Sequence, residues 1–208
     1  MLPGTSILGP AVPGRLDFNP LSIEPGQTDP DKSKALLLEA GYQPGKYRID
    51  MAYVEDDPYD VDVAAARAKA LELGGFKVTL HPQPDSDAFD AVISDPASPV
   101  NVRPGGWCPD WPTGASWFPR LTSHNPGYNR AYFHEKAVED EIERIGRLPL
   151  DEQPEAWGAL DKEIMTKYYP TIVTGYPGVA MLHGSRLGGV NFDNVASMPT
   201  WKDMHVEQ

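Results

Sequence analysis

The sequence predicts an α/β fold, and three observations carry the prediction. A well-capped helix fits residues 30–41, a period of two runs through residues 46–54, and a strand pattern returns at 76–82 after an alanine-rich helix.

Taken in order, residues 1–28 are rich in Pro and Gly and aperiodic, so they read as an extended lead-in. In "TDPDKSKALLLEAGY" Asp29 can cap the free N–H groups of a first helical turn, Pro30 suits the first helical position, and Gly41 closes the C-terminus. "KYRIDMAYV" alternates Tyr47, Ile49, Met51 and Tyr53 against Lys46, Arg48 and Asp50, which predicts a strand with one buried face. Asp60 to Leu73 is an alanine-rich helix ended by Gly74-Gly75. "FKVTLHP" (76–82) reads as a second strand and "AFDAVIS" (88–94) as a third. Residues 95–132 are irregular, but the aromatics from Trp107 to Tyr132 argue against disorder. Two helices follow, at about 135–147 with Val138, Ile142 and Ile145 on one face, and at about 152–168 with Trp157, Leu160 and Ile164. The tail reads as short strands joined by glycine turns.

Composition narrows the function classes. Eighteen basic residues against thirty acidic ones give a net charge of −12, the wrong sign for gripping nucleic-acid phosphates. A single cysteine excludes an internal disulfide and a cysteine-based zinc cage. No apolar run approaches a membrane span, and the first residues lack the basic start and unbroken apolar stretch of a signal peptide, so none is expected. His81, Asp85 and Asp87 are separated by Pro82 and Pro84 at no metal-ligand spacing, so neither a metal nor a cofactor is expected. "LGGV" (187–190) lacks the strand–glycine–helix context of a nucleotide loop.

The segment that stands out is "GGWCPDW", residues 105–111. Read with "DPDKSKALLLEAGY" before it, and "GYNRAYF", an acidic helix, "YYPTIVTGY" and "PTWKDMHV" after it, it resembles the C-terminal part of the family 5 extracellular solute-binding proteins, the peptide receptors of ABC importers. The resemblance runs from about Asp29 to the end of the chain and covers less than half of a typical family member.

It implies the C-terminal lobe of a two-lobed, type II periplasmic-binding-protein-like fold, with a mixed sheet flanked by helices. Residues 29–175 would form that lobe, and 176–208 a tail that in the family returns to the N-terminal lobe. The chain then reads as a partial gene product or an excised lobe, with surface meant for the absent N-terminal lobe left exposed. The implied partners are a peptide or other small solute, that lobe, and a permease in the membrane. The implied place is the cell envelope or periplasm.

The resemblance also implies site residues. Asp110 falls where oligopeptide receptors pair an aspartate with the α-ammonium of the bound peptide. One carboxylate suffices for this, because every unblocked peptide carries that ammonium whatever its side chains. Trp107, Trp111 and Trp117 are candidates for a wall of the ligand cleft, or for lobe core. Arg103 lies near, but out of register with, a carboxylate-binding arginine of some members. The "PGYNRAYF" turn (126–133) is expected to be structural. Cys108, inside the motif, is counted among the ligand-binding candidates, and as a residue type it suits a small buried thiol better than a nucleophile.

Three readings compete with peptide capture. The tryptophans would suit an oligosaccharide or another solute on the same fold. A carboxylate-dependent hydrolase would need a second acid at an interpretable spacing, which is not seen. A fragment with no function of its own is compatible with the resemblance.

Overall fold

The computed structural model describes residues 2–24, 27–124, 128–196 and 198–207. The remaining positions fall in the expected lead-in, in the 126–133 turn and in the tail, so those parts of the reading lie outside the described residues. In chain order the elements begin with β1 (Leu2–Pro3), α1 (Pro30–Glu39), β2 (Arg48–Val54), α2 (Pro58–Leu73), β3 (Lys77–Gln83) and α3 (Ser86–Ser94). Then come α4 (Phe118–Leu121), α5 (Lys136–Gly146), α6 (Gln153–Glu163), and the two-residue strands β4 (Gly175–Tyr176), β5 (Leu187–Gly188), β6 (Phe192–Asp193), β7 (Met198–Pro199) and β8 (His205–Val206). The chain forms two compact units, Gln27–Gly105 and a second built from Met1–Gly26 with Gly106–Gln208.

The first unit is a β–α–β crossover with helices packed on it. The Asp29 carboxylate accepts from the Lys32 N–H at 2.9 Å and starts α1. The same termination serves α1 and α2: the N–H of Tyr42 reaches the Leu37 carbonyl and that of Phe76 the Leu71 carbonyl. Each motif needs a left-handed residue just before, supplied by Gly41 (φ +84°) and Gly75 (φ +96°). β2 and β3 then pair in parallel from Arg48↔Lys77 to Val54↔Gln83.

Two expectations are corrected here. Residues 88–94 are not a third strand but most of α3, whose N-terminus is capped by the Asp85 side chain accepting from the Ala88 N–H at 2.8 Å. Phe89, Val92 and Ile93 recur at helical spacing and pack with Ala52 and Val100. The place a third strand would have taken beside β2 is held by Val102, in a parallel bridge to Met51. Nor does β2 bury a single face, since Ile49, Asp50, Met51, Ala52 and Val54 are all buried. A strand paired in parallel and packed by both α2 and α3 keeps neither side for water.

Burial of Asp50 inside that strand requires partners. Arg48 grips its carboxylate with Nε and Nη2, each at 2.7 Å, and His81 Nε2 lies 2.6 Å away on β3. The Arg48 guanidinium first, and His81 after it, hold the Asp50 carboxyl below its ordinary range against the opposing cost of burial. A depressed carboxylate stabilises the fold above the unfolded value of about 4 and loses that contribution as pH falls through the folded value. Asp50→Ala is therefore expected to lower stability by about 1–3 kcal/mol at neutral pH, with the difference from the parent shrinking in acid. Denaturant melts of both proteins between neutral pH and strong acid check this; a gap that stays constant would contradict it.

The second unit packs around α5 and α6. Val138, Ile142 and Ile145 from α5 meet Trp157, Leu160 and Ile164, the stripes expected from the sequence. Beyond Glu163 the helix widens into a π turn, Ile164–Tyr168, which ends at Tyr169 in a left-handed conformation (φ +50°). The opening residues contribute more than a lead-in would: Ile7, Leu8 and Val12 belong to this core, and β1 pairs with β4.

The segment from Ser6 to Leu8 is anchored by one buried carboxylate. Asp161, on α6, accepts from the Ser6 hydroxyl at 2.5 Å and from the N–H groups of Ile7 and Leu8 at 3.0 and 3.2 Å. The Tyr176 hydroxyl donates to the Ser6 carbonyl at 2.7 Å, and Arg15 Nε donates to the Leu8 carbonyl at 3.2 Å. Asp161 escaped the sequence reading although a signal was present. It sits four residues after Trp157 and three before Ile164, a charged residue inside an otherwise apolar helical stripe.

Candidate functional site

The loop from Gly106 to α4 is organised by Ser116. Its carbonyl accepts from the Trp107 indole Nε1–H at 2.7 Å, and its hydroxyl accepts from the Asp110 backbone N–H at 2.8 Å. Ser116 is itself buried in a 3-10 turn, Gly114–Ser116. That turn fits against α6 because residue 114 is glycine: a Cβ there would lie 2.4 Å from Trp157 Cγ. Phe118 then stacks on Trp157, with centroids 5.6 Å apart and planes at 16°. The core thus fixes Ser116, and Ser116 fixes the backbone of the motif.

Each residue singled out from the sequence can now be placed. Asp110 is exposed, and among the described residues its carboxylate makes no hydrogen bond or ion pair, while its backbone is held by Ser116. Trp111 is 51 % exposed. Trp107 is half-buried against the core edge, and Trp117 lies in the core itself. Cys108 is exposed, which corrects the expectation of a buried thiol. Pro109 takes the buried place instead, so the chain turns inward one residue later than composition suggests. Arg103 belongs to the other unit, where its Nη2 donates to the Asp95 carbonyl at 3.1 Å and lies 3.4 Å from the Ser98 hydroxyl. Asn129 of the 126–133 turn is buried and ties the backbone together through Ser123 and Phe133, as a structural turn should.

Two residues the sequence reading passed over complete the surface of the loop. Tyr128 meets Trp107 edge to face at 4.8 Å, and the Arg120 guanidinium lies over both rings, 5.9 Å from the Trp107 centroid and 5.5 Å from that of Tyr128. Nearby, Glu139 accepts from the His124 N–H at 2.6 Å and lies 3.1 Å from His134 Nδ1, contacts that hold its carboxyl below the ordinary range, the His124 bond foremost. Among the described residues no group of three or more His, Cys, Asp or Glu side chains could hold a metal ion, and no helix is long and apolar enough to cross a membrane.

An α/β chain of this kind, presenting an exposed carboxylate and aromatics on a loop braced by its core, has the architecture of part of a two-lobed periplasmic binding protein. Three solved structures illustrate the likeness. The ABC transporter-associated periplasmic binding protein DppA from Helicobacter pylori, in complex with the peptide STSA, is matched over 100% of this chain and 39% of its own, at 18% identity and a TM-score of 0.76. The Escherichia coli murein tripeptide binding protein MppA is matched over 99% of this chain and 40% of its own, at 18% identity and 0.76. MoaA in complex with mannopinic acid, from A. tumefaciens R10, is matched over 99% and 41%, at 20% identity and 0.62. The chain spans about two fifths of the length of these structures. No curated protein matches it. A family profile, that of the bacterial extracellular solute-binding proteins, family 5 Middle, matches residues 3–129, and the chain belongs to that family.

Proposed function

We propose that the chain is part of the solute-binding component of an ABC-type importer, which captures peptides outside the cytoplasm and hands them to a permease in the membrane. Capture of this kind is an equilibrium with lobe closure, and no bond is made or broken. Residues 29–175, with the opening segment that packs into their core through Ile7, Leu8 and Val12, serve as the C-terminal lobe, and the tail from 176 meets the remainder of the receptor. Family membership supports the class, and exposed apolar side chains along the tail, among them Val179, Leu182, Trp201 and Val206, support the role given to that segment.

The observation that carries the site is the state of Asp110. Its backbone is fixed while its carboxylate is exposed, so it can meet a ligand ammonium without first breaking a bond of its own. Trp111 supplies the adjacent apolar face, Trp107 and Cys108 flank it in the chain, and Trp117 anchors the loop in the core; Arg103, in the other unit, is given no part in it.

A cleft between lobes draws contacts from both sides, and one side alone leaves the ligand wet. Calorimetry with short peptides should therefore give no micromolar affinity for the chain by itself. The same chain joined to a matching N-terminal lobe should reach that range. Micromolar binding by the isolated chain would overturn the two-sided reading, and turnover of a peptide or glycoside panel would overturn the binding reading altogether.

A second reading, a non-peptide solute, draws support from the exposed Trp111 ring, which could pack on a sugar-like face. Competition by sugars or sugar acids against a bound peptide separates the two.

A further inference from the structure

We propose that Arg120 is a second ligand anchor in the same loop, one that takes a carboxylate. The inference rests on the reading of Asp110 as an ammonium anchor and extends it to the chemistry of the whole ligand, which would carry both charges.

Four observations lead there. Arg120 is exposed, and its guanidinium lies over the Trp107 and Tyr128 rings, 5.9 and 5.5 Å from their centroids. The Trp107 ring is in turn fixed by its indole bond to the Ser116 carbonyl. Among the described residues the Arg120 fork forms no hydrogen bond and no ion pair, in a chain of net charge −12 where Arg48, Arg144 and Arg147 are each matched to a carboxylate. Finally, Ser116 holds the Asp110 backbone with its hydroxyl and Trp107 with its carbonyl, so one buried residue sets the positions of both proposed anchors.

Stacking on aromatic faces leaves the N–H edge of a guanidinium free and pre-oriented, and that planar fork matches a carboxylate in a two-bond grip. Holding the side chain in advance reduces the rotamer entropy lost on binding. A solute bearing an ammonium for Asp110 and a carboxylate for Arg120 satisfies both points, whereas a cation or a neutral sugar satisfies one or neither. The carboxylate could be a chain terminus or an acidic side chain, since both present the same two oxygens.

The test uses the full chain, labelled with 15N, and four small probes followed through the Arg120 Nε–H and Trp107 indole signals. N-acetylalanine offers a terminal carboxylate without an amine, and N-acetylaspartic acid α-amide offers a side-chain carboxylate. Alaninamide offers only the ammonium, and N-acetylalanine amide neither charge. The carboxylate probes should shift both signals saturably, weaken with salt, and lose about tenfold in affinity in Arg120→Gln. Tyr128→Leu keeps the charge but removes one supporting ring, and should weaken the same probes by about threefold; a mere coat of charge would not notice. Arg147→Gln, an exposed arginine elsewhere, should change nothing. Equal shifts from N-acetylalanine amide, or carboxylate binding unaltered in Arg120→Gln, would overturn the proposal. Alaninamide reports on Asp110 independently: its failure with carboxylate binding intact removes the ammonium anchor and leaves Arg120 standing, and the reverse pattern removes Arg120 alone.

Discussion

Asp161→Ala is expected to destabilise the second unit by about 3–5 kcal/mol, enough to threaten folding of a domain of ordinary stability. The side chain is fully buried and accepts three hydrogen bonds from Ser6, Ile7 and Leu8. Alanine leaves two backbone N–H groups and a hydroxyl without the acceptor they share. Because Ile7, Leu8 and Val12 are core residues, release of the opening segment would uncover apolar surface as well. Chemical denaturation of parent and variant checks the magnitude, and a loss below about 1 kcal/mol would mean the segment is held by its side chains alone.

The same carboxyl gives a pH signature of opposite sense to that of Asp50. Burial pushes Asp161 above its ordinary range, and the Ser6 hydroxyl and the two N–H donors pull against that push. A raised carboxyl contributes stability in full below the unfolded value of about 4 and loses it as pH rises through the folded value. In the stability–pH curve the two groups therefore oppose each other on the acid side, and single variants at Asp50 and Asp161 separate them.

The second large effect concerns ligand choice. With a matching N-terminal lobe attached, peptides with a free terminus are expected to bind at least about tenfold better than their N-acetylated counterparts, since a charge-assisted bond contributes about 1.5–3 kcal/mol net. Asp110→Asn keeps the shape of the side chain and the backbone bond to Ser116, but removes the charge, and should erase most of that preference. Asp95→Asn is the control, since Asp95 lies in the other unit and its carboxylate braces a turn by accepting from the Ala97 N–H. Equal losses for free and acetylated peptides on Asp110→Asn would make the residue a loop brace and return the aromatics of "GGWCPDW" to the scaffold.

Where the sequence was read correctly, the deciding interactions were local. Asp29 caps a turn three residues away, Gly41 and Gly75 supply conformations that other residues resist, and the stripes of α5 and α6 follow from helical period alone. α3 was misread because a seven-residue segment with five apolar residues fits either period; the Asp85 cap, also local, was the signal that should have decided it. The motif containing Asp110 was legible as a pattern of residue types, and so was its likeness to a family.

By itself, then, the sequence determined α1, α2, α5 and α6, the strand–helix–strand order of the first unit and the family. Tertiary structure decided the rest. Asp50 counts as a surface residue by alternation, and only the packing of α2 and α3 on β2 makes it buried and in need of Arg48 and His81. Asp161 and Ser6 are 155 positions apart, and Arg120 and Tyr128 meet on a Trp107 ring that the Ser116 carbonyl holds. The stripe of α6 hints that Asp161 is buried, but the partners in such contacts leave no periodic trace, because pairing depends on which distant surface arrives opposite a side chain, and a linear pattern records only what its neighbours require.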